Sequence, residues 1–408
     1  MRRQLRLNGF AATLCTALLL GMVSQTRAEI PGNRVKIGVL TDMSDFASDS
    51  TGMGSVVAAR LAVEDFAGEL PGVTVEVIHS DHQNKPDIGS ATARRWVDQD
   101  QVNAILDVPF SSVALAVSEV TRNSKTVFIA SGPGSTELTG PKCSPNTIHW
   151  TYDTWALANG TARALTQPGT TWFFLTADYA FGHALERDAT GVIKAMGGSV
   201  LGSVRHPPNT ADFSSYLLQA QASRAQLIGL ANAVGDTINS VKQAAEFGIT
   251  TGGQRLAALL MQLTDVHALG LKIAQGLYLT EAFYWDLNAG TRAFADRFAA
   301  NMNGRRPTGN QAGVYAGTLH YLKAVKAADT TDGTIVAAEM KKMPTDDPLF
   351  GKGSIRADGR VVHDMYFFQV KKPDESKGPW DYYTLVKTIP AAEAFRPIEA
   401  GGCPLAKG

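Results

Sequence analysis

Cysteine is scarce, with three residues in 408. One of them, Cys15, lies in an N-terminal apolar run, so the rest of the chain can form one disulfide at most. Charge is also sparse and balanced: Asp, Glu, Lys and Arg make 19% of the chain, with 38 basic and 38 acidic side chains. Without a basic excess nothing favours nucleic acid or an anionic membrane surface. Beyond Val23 there is no apolar run of the roughly 20 residues needed to cross a bilayer. Catalytic and cofactor signatures are missing too. There is no Walker-type loop and no Gly-x-Ser-x-Gly elbow. Gly52-Met53-Gly54 is an incomplete dinucleotide fingerprint behind too long a loop. Asp42, Asp45 and Asp49 do not match a calcium loop. The eight histidines are scattered, and His79-Ser80-Asp81-His82 reads as a strand-end turn rather than a metal cluster. No cofactor and no metal are expected.

What is present begins with a leader. Arg2, Arg3 and Arg6 precede an apolar run from Phe10 to Val23, which ends at Thr26-Arg27-Ala28. That is the layout of a secretory signal over residues 1–28, cleaved after Ala28. Cys15 is not followed by a mature start, so no lipid anchor is read. The leader holds four arginines and no acid, which leaves 34 basic and 38 acidic side chains and a net charge of −4. An exported chain meets an oxidising compartment, so Cys143 and Cys403 suggest a disulfide. The alternative is two unrelated thiols.

With 44% apolar residues the chain can build a sizeable core, and its length suggests two domains. Strands and helices alternate from Val35-Lys36-Ile37-Gly38-Val39-Leu40 to the strand ending at Ala130, which predicts βαβ units and a parallel sheet. The alternation restarts after Asn159 with Trp172-Phe173-Phe174-Leu175. Leu40-Thr41-Asp42 and Leu175-Thr176-Ala177-Asp178 then lead matching loops, as two similar lobes in tandem would have them. Helices at 288–301 and 312–328 follow, with strand-like runs at 361–370 and 382–388. These elements are too few for a third domain and return to complete the lobes. The expected division is lobe 1 at 29–152 plus 283–358, lobe 2 at 153–282 plus 359–389, and a tail at 390–408 tied by the disulfide.

Two strand-end loops carry the functional signal. Asp107-Val108-Pro109-Phe110-Ser111-Ser112 follows Ala104-Ile105-Leu106. Ala130-Ser131-Gly132-Pro133-Gly134-Ser135 follows Thr126-Val127-Phe128-Ile129. Ligands of open parallel sheets bind outside such ends. The hydroxyls of Ser111 and Ser112, with N–H groups left unshielded at Gly132 and Gly134, suit a carboxylate. The serines also fit as caps of the helix that follows. Asn232 and Gln262, at other strand ends, are further candidates.

The order and spacing of several segments resemble the periplasmic leucine/isoleucine/valine-binding proteins. The segments are Val35 to Leu40 with Met43-Ser44, Ser111-Ser112, Ser131 to Thr139, Asp178-Tyr179-Ala180-Phe181-Gly182, and Gln243-Ala244-Ala245 running into Gly248. The resemblance spans nearly all of 29–389. It implies an α/β type I solute-binding fold: two doubly wound lobes, a multi-strand hinge and a closing cleft. It also implies delivery of ligand to an ATP-driven permease in the inner membrane. It puts the carboxylate on Ser111 and on the 132–134 segment, where the family's hydroxyl donor falls on Gly134. The family's second-lobe aromatic falls on Phe181. Its two ammonium-pairing acids fall near Gln262 and Trp155, so an ammonium should be held poorly. Phe46, Trp155, Tyr179, Phe181 and Tyr284 suit a flat or apolar ligand body. The expectation is therefore a monomeric periplasmic binding protein, not an enzyme. The ligand is a small carboxylate, either an amino acid or an aromatic or other organic acid. An exported hydrolase of a small amide or ester is the alternative, and a sensory ectodomain a third.

Overall fold

The computed structural model describes residues 30–407. The expected secretory leader lies outside the described residues. Among these, no helix is long and apolar enough to cross a membrane.

Two parallel sheets organise the chain. The first holds β1 (Arg34–Thr41), β2 (Thr74–Asp81), β3 (Ala104–Asp107), β4 (Val127–Ala130) and β5 (Thr147–His149), in the order β2-β1-β3-β4-β5. The second holds β6 (Thr171–Ala177), β7 (Ser199–His206), β8 (Leu227–Ala231) and β9 (Arg255–Ala258), in the order β7-β6-β8-β9. All pairings in both are parallel. β3, β4 and β8 are buried along their whole length, as short apolar runs covered on both faces should be. Both sheets have the same order, with the second strand outside the first and the third on its other side. Strand order therefore reverses between β1 and β3, and again between β6 and β8. These are the switch points where α/β sheets take ligands. The paired Leu40-Thr41-Asp42 and Leu175-Thr176-Ala177-Asp178 segments run off β1 and β6, the first strand of each sheet.

Six short strands follow: β10 (Tyr278–Glu281), β11 (Thr345–Asp347), β12 (Gly351–Ile355), β13 (Val361–Val362), β14 (Met365–Val370) and β15 (Tyr383–Ile389). They form two antiparallel sheets, β10-β14-β15 and β11-β12-β13. The expected run at 361–370 is thus broken at His363-Asp364. Leu279, Phe368 and Tyr383 share a buried cluster with Leu175, Ile228 and Val241 of the second sheet's side. The helix Gly309–Ala328 instead buries Val314 and Leu322 in the cluster of Ile37, Val39, Leu106 and Ile129. Its start is fixed by Thr308 and Gln311, each of which bonds the other's backbone N–H.

The chain passes between the two sides at 150–153, 282–288 and 360–364. Arg360 sits where the first and third passages meet. Its guanidinium is fully buried and donates to the carbonyls of Trp150 and Tyr152. It lies 3.6 Å from Asp153 and 4.5 Å above the Phe395 ring. His149 and Arg360 also form a β-bridge. Three separate stretches of chain are thereby fastened by one side chain.

The Cys143–Cys403 disulfide is formed, with the Cα atoms 5.7 Å apart. It ties the tail to the loop before β5 across 260 residues of sequence. Reduction should lower the unfolding free energy by about 2–4 kcal/mol, because the bridge restricts the unfolded chain. Urea unfolding with and without dithiothreitol measures this, and an unchanged midpoint would mean the bridge contributes nothing.

Candidate functional site

One carboxyl gathers the strand ends of the first sheet. Asp107, the last residue of β3, accepts from Thr41 Oγ1 of β1 at 2.8 Å and from Ser131 Oγ after β4 at 3.3 Å. Burial pushes its pKa up to about 6. Asp42 folds the next loop by accepting from the N–H groups of Asp45 and Ala47, both at 2.9 Å. Val108 has φ 55° and Val234 has φ 47°. Left-handed backbone at a β-branched residue costs on the order of 1–3 kcal/mol and clusters at functional sites. The two valines follow β3 and β8, which hold equivalent places in the two sheets.

The carbonyls of the 132–134 loop are each spent on a protein partner. Gly132 O accepts from Tyr152 OH at 2.9 Å, and Gly134 O accepts from Thr154 N at 2.7 Å. Pro133 O lies 2.7 Å from His149 Nε2. The N–H groups of Gly132 and Gly134 have no acceptor among the described residues. Ser111 opens the helix Ser111–Thr121, and its hydroxyl accepts from Ser135 N at 3.1 Å. The first turn of this helix leaves N–H groups without an intrahelical acceptor at the same end of the sheet. Small oriented dipoles of this kind hold an anion without a cationic side chain.

Aromatic rings wall the crevice from both sides. Phe46 and Phe110 meet edge to face at 5.1 Å, Phe110 and Tyr179 lie 5.8 Å apart, and Tyr179 and Phe181 6.0 Å apart. Phe46 and Phe110 stand on loops of the first sheet, Tyr179 on the loop after β6, and Phe181 in the first turn of the helix Ala180–Ala195. A Cβ at position 134 would lie 2.7 Å from the Phe181 ring. Glycine there makes room for a ring arriving from the opposite side, so a hydroxyl side chain has no space. Between the rings lies a cavity of about 30 Å³, lined by Thr51, Phe110, Gly132, Gly134, Tyr152, Tyr179, Phe181, Val234, Gln262 and Asn310. That is room for about one water. A larger ligand requires the two sides to part.

Two acids lie behind this cavity. Gln262 precedes the helix Leu263–Leu269, and its backbone N–H donates to Asp265 Oδ2 at 2.8 Å. Glu281 ends β10 and is 2% exposed. Burial pushes the Glu281 carboxyl well above its ordinary value, and the neighbouring Asp265 adds to the shift. Burial likewise raises Asp265 to about 7. A carboxyl raised in the folded state stabilises most below its unfolded pKa, and that contribution is lost as pH rises through the folded value. Between pH 4 and pH 8, wild-type stability should therefore fall relative to Asp265→Asn, by on the order of 2–4 kcal/mol. Urea unfolding of both proteins across that range tests this. A pH-independent difference would mean that Asp265 titrates as an ordinary carboxylate.

Of the residues expected from the sequence, Gly132, Gly134, Tyr179, Phe181 and Gln262 line the cavity. Phe46 and Ser112 open instead onto an outer groove of about 280 Å³, on the far side of Phe110 and Tyr179. Ser111 is 1% exposed and stands behind the glycine loop, bonded to it. Three expected residues lie away from this cavity. Trp155 faces a separate groove with Asn159, Arg163 and Phe367. The reason is local: Asp153 caps this turn through Ala156 N, and Thr154, Ala156 and Leu157 take the buried face. Tyr284 is packed against Phe368 and Tyr383, and its hydroxyl is spent on Trp380 O and Tyr382 N. Asn232 is fully buried and satisfied by Thr237 and His206. Tyr152, Asn310, Asp265 and Glu281 were not expected. The strand-like run Tyr278 to Glu281, ending on an acid, was the available signal for the last.

Two lobes of one topology, a multi-strand hinge and an anion-suited cavity between them define a type I solute-binding protein. The sequence model of the periplasmic binding protein family matches residues 34–378, and the chain belongs to that family. A periplasmic binding protein from Burkholderia mallei is 50% identical, with 92% of this chain and 100% of that chain covered and a TM-score of 0.89. A branched chain amino acid ABC transporter periplasmic ligand-binding protein from Burkholderia xenovorans LB400 is 40% identical, covers 91% and 100%, and has a TM-score of 0.81. A solute binding protein of an ABC transporter from R. palustris, in complex with benzoate, is 19% identical. It covers 91% and 100% with a TM-score of 0.79, a likeness of fold alone.

Proposed function

We propose that this chain is the periplasmic substrate-binding component of an ABC importer of the branched-chain amino acid type. It captures a small carboxylate-bearing ligand by lobe closure and presents it to an inner-membrane permease. The ligand is an amino acid or an aromatic or other organic acid. Lobe 1 comprises 29–152 and 283–358, lobe 2 comprises 153–282 and 359–389, and 390–408 is the tail. One chain supplies the whole cleft, so it works as a monomer. The observation that carries this reading is the glycine loop: Gly132 and Gly134, whose N–H groups have no acceptor among the described residues, line a cavity walled by rings from both lobes. Ser111 steadies that loop, and the helix it opens adds further donors. The benzoate-bound relative lends support to a carboxylate as the recognised group.

A thermal-shift screen tests the reading. Leucine, phenylalanine, benzoate and cinnamate are compared with urea and simple amides. A ligand at 100 times its dissociation constant should add about 2.7 kcal/mol of stability. Stabilisation by neutral amides and by none of the carboxylates would overturn it.

A further inference from the structure

Outside the cavity a polar cluster joins the two lobes. The helix Ala180–Ala195 belongs to lobe 2, and its buried residues include Phe181, Leu185 and Asp188. Phe181 and Asp188 are seven residues apart, two helical turns, so they share one face. Phe181 meets Gly134 of lobe 1. Asp188 meets Thr136, two residues further along the same lobe 1 segment, and its Oδ2 accepts from Thr136 Oγ1 at 2.8 Å. It also accepts from Thr154 Oγ1 at 2.6 Å, and its Oδ1 accepts from Arg187 Nε at 3.0 Å. Arg187 Nη2 in turn donates to Thr136 Oγ1 at 2.8 Å. The Thr136 hydroxyl is thus held by two successive residues of the lobe 2 helix, accepting from one and donating to the other. Thr136 is 1% exposed and Asp188 8%. Neither residue lines the cavity.

We propose that Asp188 is a positioning residue for closure: it clasps Thr136 across the lobe boundary and so seats the Phe181 ring against the glycine loop. This rests on the capture-by-closure reading above and names the contact that holds the closed form. Asp188 touches no ligand and acts through Phe181, which does line the cavity. The clasp depends on closure because of where the donors stand. Arg187 is the neighbour of Asp188 in the same helix, and Thr154 belongs to lobe 2. Thr136 alone comes from lobe 1. Parting of the lobes takes Thr136 away and leaves the carboxylate with its other two donors and with water, so no charge is stranded in the open form. Closing adds a third, charge-assisted hydrogen bond, of the stronger kind. That bond exists in one of the two states only, so its energy biases the equilibrium between them rather than the folding of either lobe. Thr136 and Gly134 are neighbours on one segment, as are Asp188 and Phe181 on one helix face. The clasp therefore fixes the register in which ring and glycine meet.

The test compares wild type with Thr136→Val, which keeps the shape and removes the hydroxyl, and with Thr136→Ser, which keeps the hydroxyl. Spin labels at the exposed positions Arg60→Cys and Lys242→Cys report the inter-lobe distance. It is measured without ligand and with leucine, phenylalanine, benzoate or cinnamate as probes. In the condition where wild type closes most, Thr136→Val should lower the ratio of closed to open distances at least about 10-fold, the scale of a hydrogen bond to a charged group. Thr136→Ser should restore the ratio. Asp188→Asn should shift it in the same direction as Thr136→Val, and serves for the comparison if Thr136→Val does not fold. In calorimetry with the same probes, Thr136→Val should lose affinity in the wild-type background and much less in Phe181→Ala, because the clasp acts through that ring. A residue needed only for folding would lower the unfolding midpoint and leave the distance ratio alone. Equal distance distributions in wild type and Thr136→Val would overturn the inference, and wild type closing on a probe would leave the capture reading standing. Equal losses of affinity in the two backgrounds would also overturn it. A wild type that never closes would overturn both.

Discussion

Replacing Arg360 by methionine should lower the unfolding free energy by about 3–5 kcal/mol, the scale for stranding one member of a buried ion pair. Arg360 is fully buried, and Asp153 beside it is 2% exposed. Methionine would leave Asp153 charged in a dry place and strip the carbonyls of Trp150 and Tyr152 of their donor. Burial already lowers the Arg360 pKa to about 10, with Asp153 opposing the shift. Desolvation is thus the larger effect, and the pair persists because its geometry satisfies both members. The double variant Arg360→Met with Asp153→Asn should recover part of the loss, since the stranded charge is gone while Asn can still cap Ala156 N. Equilibrium urea unfolding of the three proteins gives the comparison. A loss below about 1 kcal/mol for Arg360→Met would put the fastening of the hinge elsewhere.

Gly134→Leu should leave the protein folded and weaken ligand binding by at least about 10-fold, the effect of overpacking by 1–3 kcal/mol. The new Cβ would sit 2.7 Å from the Phe181 ring, which belongs to the opposite lobe. Tyr152 is the nearest neighbour beyond that ring, at 3.1 Å, and need give by only a few tenths of an ångström. Opening the cleft relieves the main clash, so the penalty falls on closure rather than on folding. The same substitution in a Phe181→Ala background should cost much less. Additive effects in that cycle would mean that the two residues do not meet in the bound state. Calorimetric affinity, read beside the unfolding midpoint, separates the two kinds of loss.

Much of the scaffold was legible because its signals are local. Apolar runs such as Ala104-Ile105-Leu106 and their spacing give parallel strands, and the glycines at 132 and 134 sit at a strand end. The family resemblance is borne out by the match over 34–378 and by the branched-chain type of the 40% identical structure. Only half of the expected site gathers at the cavity, for physical reasons. Tyr284 and Trp155 are aromatic like Phe181, but which rings face a cleft and which fill a core depends on packing between distant segments. Asn232 looks like a ligand residue until His206 and Thr237 are folded beside it. Asp265 and Glu281 belong to different strands and helices, and no spacing in the sequence announces that they approach each other. Arg360 reads as one basic residue in a Gly-Arg-Val-Val stretch. Its meaning comes from Trp150, Asp153 and Phe395, more than thirty residues away on both sides.

Closure of two lobes on a ligand is the centre of the account, and an inter-lobe distance tests it most directly. Arg60 and Lys242 are exposed, on the helices Gly52–Asp65 and Val234–Glu246 that start at the two sides of the cavity. Spin labels at Arg60→Cys and Lys242→Cys report that distance by double electron–electron resonance. A saturating ligand found in the thermal-shift screen should shorten the distance and narrow its distribution, and Gly134→Leu should abolish the change. A distribution left untouched by a bound ligand would contradict capture by closure.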